Sequence, residues 1–148
     1  ALLVALGDPD PWVVREAVAG LGRQGGAEAV ERLKTLVGHP NGLVALEAVR
    51  ALAELDQGLD RALWVQAGKH PDSEVVKEVI SASRAWSNET RGPVLSAALA
   101  DSRWDVRMAA VRCLTALGDA ASLAVLAGRL DREEDPLVAE AISSALGR

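Results

Sequence analysis

The chain has 148 residues, 49% apolar and 25% charged, a composition typical of one soluble folding unit and not of a disordered tail. No apolar run approaches the roughly 20 residues that cross a bilayer, so we expect neither a membrane span nor a secretory segment. A single cysteine excludes an internal disulfide, and 16 basic against 21 acidic residues argue against a polyanion-binding protein. A cytoplasmic location is the expectation.

The sequence repeats with a period of 31 residues. Small or β-branched residues stand at this spacing and are each followed by Val or Ile: Ala17, Ala48, Val79, Ala110 and Ala141, followed by Val18, Val49, Ile80, Val111 and Ile142. Taken as gapless, the period predicts one domain of about 4.8 repeats. The units are residues 8–38, 39–69, 70–100, 101–131 and 132–148, the last one incomplete.

Each unit carries apolar residues at the spacing of two amphipathic helices, separated by Gly, Pro, Asn and Asp. First helices are predicted at 11–24, 42–55, 73–86, 104–117 and 135–146, and second helices near 27–37, 58–68, 91–100 and 120–130. A hairpin this short cannot bury its apolar stripe alone, so the copies must stack. The predicted fold is all-α: an α-solenoid, a right-handed superhelix of stacked antiparallel helical hairpins.

Two stretches, Asp101–Gly118 and Asp8–Gly22, share the pattern D…VRxxAxxxL…G in whole or in part. They resemble the short HEAT-like repeat, the type also found in phycobilin lyases and related in architecture to armadillo repeats. The resemblance covers the whole chain and implies the solenoid fold, but it implies no particular function. The family's Asp and Arg, six residues apart, are both retained only as Asp101 and Arg107, so an unbroken charged ladder is not expected.

The two ends of the sequence are apolar. Ala1–Leu6 is typical of the tail of a second helix, and no second helix follows the first helix that ends near Gly147. Terminal repeats of a solenoid usually have a polar outer face. We therefore expect an excerpt of a longer array, which self-associates through its exposed apolar ends.

The four tryptophans fall into two classes. Trp64 and Trp86 share repeat positions with leucines and are predicted to be core residues. Trp12 and Trp104 stand where the fold does not require an apolar residue. An exposed Trp beside an Arg is typical of an interface anchor, which makes Trp104, Arg103 and Trp12 candidate partner-binding residues. The alternative is that each ring lies over a neighbouring loop.

The third repeat departs most from the pattern, because Pro93 falls inside its expected second helix. Proline is tolerated best in the first turn of a helix, so this helix is predicted to begin late, near Pro93. A docking notch near Thr90, Arg91 and Pro93 is the second candidate site. The alternative is a tolerated irregularity.

Few residues could carry chemistry. His39 and His70 lie one repeat apart and are predicted to project in parallel, and Cys113 shares its position with small core residues. We predict no catalytic residues, no metal and no cofactor. The leading hypothesis is a non-enzymatic protein–protein interaction scaffold that binds another protein or peptide on its concave or loop-edge surface. A nucleic-acid-binding or DNA-repair HEAT-like solenoid, disfavoured by the absence of a cationic stripe, and a phycobilin-lyase-like chaperone are the alternatives.

Overall fold

The computed structural model describes residues 2–148, and its regular secondary structure over that range is entirely helical. Ala1, the first residue of the predicted helix tail, lies outside the described residues. The helices are α1 (Leu2–Ala5), α2 (Pro11–Gln24), α3 (Gly26–Leu36), α4 (Gly42–Asp56), α5 (Arg61–Ala67), α6 (Ser73–Ser83), α7 (Asn88–Leu99), α8 (Trp104–Leu117), α9 (Ala120–Leu130) and α10 (Pro136–Ala145).

The helices form two layers. The first helices of the repeats, α2, α4, α6, α8 and α10, pack side by side in one layer. Each of the first four is followed by a second helix, and α3, α5, α7 and α9 make the other layer. Consecutive hairpins therefore stack into an α-solenoid, which confirms the predicted fold class.

The connections lie at two opposite edges of this stack. We call the inter-repeat loops, residues 6–10, 37–41, 68–72, 100–103 and 131–135, the loop edge; each leads into a first helix. The connections within hairpins, at residues 25, 57–60, 84–87 and 118–119, form the turn edge. Because the hairpins stack, equivalent residues of successive loops are neighbours, separated by about one interhelical distance of 8–10 Å.

Most helix boundaries lie where the sequence predicts them, and α2, α8 and α9 match at both ends. The predicted late start near Pro93 is wrong, because α7 begins at Asn88 and includes Pro93. Side-chain hydrogen bonds hold the early turn in place. The Thr90 hydroxyl donates to the Gly58 carbonyl at 2.7 Å, and the Arg91 guanidinium donates to two carbonyls in the preceding turn. The first turn of α7 is thus fixed before Pro93 removes a backbone donor.

The repeat period is not gapless at its last step. Val138 and Ile142 are fully buried and lie 32 residues after the buried Val106 and Ala110. Leu137, which a strict period of 31 would align with Val106, is 60% exposed. One extra residue in the last inter-repeat loop therefore shifts α10. Since one residue turns a helix by about 100°, the shift decides which side chains face the core.

The core consists of two hydrophobic clusters that meet in α6. Val75 and Val79 pack in the N-terminal cluster, whereas Val76 and Ile80 pack in the C-terminal cluster. Because α6 supplies both clusters from adjacent positions, it joins the two halves of the solenoid.

An aromatic pair fills the N-terminal cluster near the turn edge. Trp64 and Trp86 are both buried with ring centroids 4.6 Å apart, which confirms the prediction that they are core residues. Trp64 Nε1 donates to the Asp56 carboxylate at 2.7 Å. Gly58 has a φ of +80°, and a Cβ there would overlap the Trp86 ring. Only glycine satisfies both the backbone conformation and the space.

Candidate interaction surfaces

One hydrogen bond recurs along the loop edge. A side-chain atom accepts the backbone N–H of the residue two positions later, at donor–acceptor distances of 2.8–3.0 Å. The accepting residues are Asp8, His39, His70, Asp101 and Glu133. Carboxylate oxygen and imidazole Nδ1 can replace each other here because each presents an acceptor to the same N–H. The two histidines are therefore loop-capping residues in the position that Asp occupies elsewhere.

Adjacent loops are also joined across the repeat boundary. His70 Nδ1 accepts the Asp72 N–H, so Nε2 carries the proton and donates to the His39 carbonyl at 3.0 Å. Arg103 Nη1 continues this connection by donating to the carbonyls of His70 and Pro71 at 3.2 and 3.0 Å. The second, third and fourth loops are thus held to one another by side chains.

Arg103 is engaged within the fold. Its Nε and Nη2 atoms donate to the two carboxylate oxygens of Asp101, each at 2.9 Å. These hydrogen bonds hold the pKa of the Asp101 carboxyl below its ordinary value, although burial acts in the opposite direction. Arg103 was a candidate partner-binding residue, and the structure instead uses its donors to fix the loop that precedes Trp104.

The expected Asp–Arg pair takes a different form. Arg107 donates to the backbone carbonyl of Asp101 at 2.9 Å, and its guanidinium pairs with the Glu133 carboxylate of the next repeat at 3.0 Å. Arg129 pairs with the same carboxylate at 3.4 Å, and the Glu133 side chain is fully buried. Burial raises the pKa of Glu133, but the hydrogen bonds from Arg107 and from the Asp135 N–H, with both arginine charges, lower it overall. This is one charged rung between repeats rather than a ladder.

Two tryptophans project from the loop edge. Trp12, the second residue of α2, is 57% exposed, and Trp104, the first residue of α8, is 51% exposed. The Arg15 guanidinium lies 5.4 Å from the centroid of the Trp12 ring, within the range of a cation–π contact. Leu43 and Leu137 are exposed at the second positions of α4 and α10. We call Trp12, Leu43, Trp104 and Leu137 the apolar row.

The layer of second helices is discontinuous. α5 packs on α7, but few contacts join α3 to α5 or α7 to α9. A cleft of about 370 Å³ between α3 and α5 has Val37 and Leu63 among its lining residues. A cleft of about 470 Å³ between α7 and α9 is lined in part by Leu95, Val125 and Arg91.

The predicted notch is only partly present. Arg91 lines the cleft between α7 and α9, but Thr90 is buried with its hydroxyl bonded to the Gly58 carbonyl. Pro93 is half-buried within α7 and does not line this cleft. Thr90 is therefore a structural residue that offers no surface to a partner in this conformation.

Comparison with known proteins decides the family. The family described as HEAT repeats matches residues 1–84 and, in a second match, residues 62–147. The chain belongs to the HEAT-repeat family. The match is to HEAT repeats in general, and the phycobilin-lyase type stays a prediction.

A solved structure supports the same architecture. The HEAT-repeat chain is similar to a crystal structure described as an engineered protein, with a TM-score of 0.53 and 24% identity over 97% of this chain and 76% of the other. At that identity the likeness shows the fold alone. No curated protein matches the chain significantly in sequence.

The described part of this HEAT-repeat chain, residues 2–148, offers little for catalysis. It contains no group of three or more His, Cys, Asp or Glu residues placed to hold a metal ion. Burial raises the pKa of the Cys113 thiol, and weaker effects of Ser83, Arg84 and Arg91 oppose it. A thiol that is buried and held protonated is a poor nucleophile. Over the same residues, none of the helices is both long and apolar enough to cross a membrane.

Proposed function

We propose that this HEAT-repeat chain is a non-enzymatic scaffold that binds another protein through its loop edge. HEAT repeats are generally protein-interaction scaffolds. The observation that supports this edge is the exposure of Trp12 and Trp104, each with more than half of its surface in solvent. Tryptophan dominates the energetic centres of protein interfaces, so two exposed rings on one edge are typical of binding anchors.

Both anchors stand on rigid supports. Asp10 accepts the Trp12 N–H at 2.9 Å and caps α2, and Arg103 fixes the loop directly before Trp104 through its bonds to Asp101. A ring whose backbone is already ordered loses less conformational entropy when a partner binds. The support therefore favours docking without rearrangement.

The charge of this edge favours a protein over nucleic acid. The first loop, residues 6–10, contains Asp8 and Asp10 and no basic residue. The last loop, residues 131–135, contains four acidic residues against Arg132. Phosphate backbones are bound by clustered Lys and Arg, and this edge has the opposite sign. We also propose a cytoplasmic location, with which the single buried Cys113 is compatible.

A pull-down from source-cell lysate, with and without nuclease, tests the proposal. The parent chain is compared with a Trp12→Ala, Trp104→Ala double variant and with Leu59→Ala, which removes a side chain that is 86% exposed at the turn edge. We expect a nuclease-resistant protein that the double variant loses and that Leu59→Ala retains. Recovery that nuclease abolishes would contradict a protein partner. Equal recovery by the double variant would move the binding surface away from the loop edge.

The experiment needs a low protein concentration. Val4 in α1 is 82% exposed and Leu3 is also exposed. These side chains support the further proposal that the chain self-associates through its apolar ends. Sedimentation of the parent chain over a range of concentrations, against a Leu3→Ser, Val4→Ser variant, separates self-association from partner binding.

A further inference from the structure

The apolar row has a regular spacing. Trp12, Leu43 and Leu137 are the second residues of their helices, and Trp104 is the first residue of its helix. Neighbouring first helices are separated by about 8–10 Å, so a ligand that runs along the edge meets one repeat per step of that length. Leu43 and Leu137 place apolar side chains in repeats two and five, between and beyond the two tryptophans.

One backbone conformation matches this step. In a polyproline II helix every third residue faces the same side, and a rise of about 3.1 Å per residue gives a repeat of roughly 9 Å. A β-strand alternates faces every residue, and an α-helix advances only about 1.5 Å per residue. An extended polyproline II segment of about 12–15 residues would therefore present one side chain to each of five repeats.

The charges on the same edge are acidic. The first loop has a formal charge of −2 and the last loop of −3, while the three loops between them are neutral, so the loops together account for the formal net charge of −5. Within residues 2–148, several of these carboxylates have no ion-pair partner. They are Asp8, Asp10, Asp72, Asp131, Glu134 and Asp135. These acidic groups flank the apolar row at both of its ends.

The exposed indoles suit cationic side chains as well. The Arg15 guanidinium already lies over the Trp12 ring at 5.4 Å, which shows that this ring accepts an arginine in its own structure. A partner arginine beside an exposed indole gains the same cation–π attraction and lies near loop carboxylates.

We propose that the partner bound by the loop edge is an extended basic segment, in polyproline II conformation, with an apolar residue at every third position. This inference rests on the proposed function and specifies the chemistry of its ligand. The apolar residues contact Trp12, Leu43, Trp104 and Leu137 in turn. The basic residues between them face the acidic loops.

A designed peptide tests the proposal directly. The probe repeats Arg-Leu-Pro five times, because a residue before proline favours extended backbone. Its controls are a peptide that repeats Glu-Leu-Pro five times and a scrambled peptide with the composition of the probe. Calorimetric titration gives the affinities. Tryptophan fluorescence places the contact, because Trp64 and Trp86 are buried and Trp12 and Trp104 are not.

We expect the basic probe to bind at least tenfold more tightly than either control, and several-fold more weakly when salt is raised from about 50 to 300 mM. Trp12→Ala and Trp104→Ala should each weaken binding about tenfold, the loss that an interface anchor typically causes. Leu59→Ala, at the opposite edge, should change the affinity less than twofold.

Three results would overturn the inference: no binding of the basic probe, equal binding of the acidic or scrambled peptide, or binding indifferent to both tryptophans. The proposed function is judged separately by the pull-down. If the acidic peptide binds in a Trp104-dependent manner, the loop edge remains a protein-binding surface and only the basic character of the partner is wrong. If the pull-down also fails to depend on the two tryptophans, both proposals fall.

Discussion

The two edges of the solenoid are stabilised by different means. At the loop edge one side-chain-to-backbone hydrogen bond recurs in five loops, although the accepting residue changes from Asp to His to Glu. At the turn edge the contacts differ from repeat to repeat, and the second connection depends on Gly58 beside Trp86. A repeated backbone geometry thus tolerates changes of side chain, whereas a unique packing contact does not.

The largest effect is expected at the turn-edge end of the core. Trp64→Ala should lower the free energy of unfolding by about 4 kcal/mol, because it leaves a cavity beside Trp86 and removes the donor to Asp56. Trp64→Leu should cost clearly less, since leucine occupies the equivalent positions Leu33 and Leu95. Urea unfolding of the two variants and the parent measures both values. If alanine and leucine are equally harmful, the shape of the cavity does not control the loss.

The next effect belongs to the charged rung at the loop edge. Glu133→Gln should cost about 2 kcal/mol at pH 7, because it removes the charge that compensates Arg107 and Arg129 in a buried setting. The folded-state pKa of Glu133 is lowered, so its contribution is present above the unfolded-state pKa and is lost as pH falls through the folded-state pKa.

The difference between the parent and Glu133→Gln should therefore shrink below about pH 4. Glu134→Gln, a neighbouring exposed position, is the matched control and should change stability little at either pH. Unfolding curves at pH 7 and pH 3 make the comparison. A difference that persists at low pH would show that Glu133 acts by shape and not by charge.

A smaller effect tests whether the loop caps can replace one another. His70→Ala should cost about 1.5 kcal/mol, because the Asp72 N–H and the His39 carbonyl both lose a partner in a buried position. His70→Asp should recover about half of that, since Asp101 caps the equivalent N–H with a carboxylate. Thermal unfolding of the two variants side by side is sufficient. An aspartate that is no better than alanine would break the equivalence of the five loops.

Much of this fold could be predicted from the sequence because its apolar period is nearly perfect. The shift before α10 was missed because Leu137 and Val138 are both apolar and fit either register. The Asp-Pro pair at residues 135–136 lies 125 residues after the one at residues 10–11, one more than four periods, and this signal locates the extra residue. It also places Leu137 at the position of Trp12.

The surfaces were less predictable. The exposure of Trp12 and Trp104 was expected from their repeat positions, but the burial of Thr90 depends on a hydrogen bond to a residue 32 positions earlier. The engagement of Arg103 likewise depends on carbonyls of the preceding loop. A periodic pattern predicts which residues face the core, but it does not give the long-range partners of polar side chains.

The smallest expected effect concerns the central claim, that the loop edge carries two tryptophans which the fold does not need. A Trp12→Ala, Trp104→Ala double variant should unfold within about 0.5 kcal/mol of the parent, because surface substitutions away from structural contacts rarely cost more. The direct measurement is the free energy of unfolding of this variant by urea at pH 7. An unchanged value would leave both rings free for a partner. A loss of more than about 1.5 kcal/mol would make them part of the fold and contradict the account.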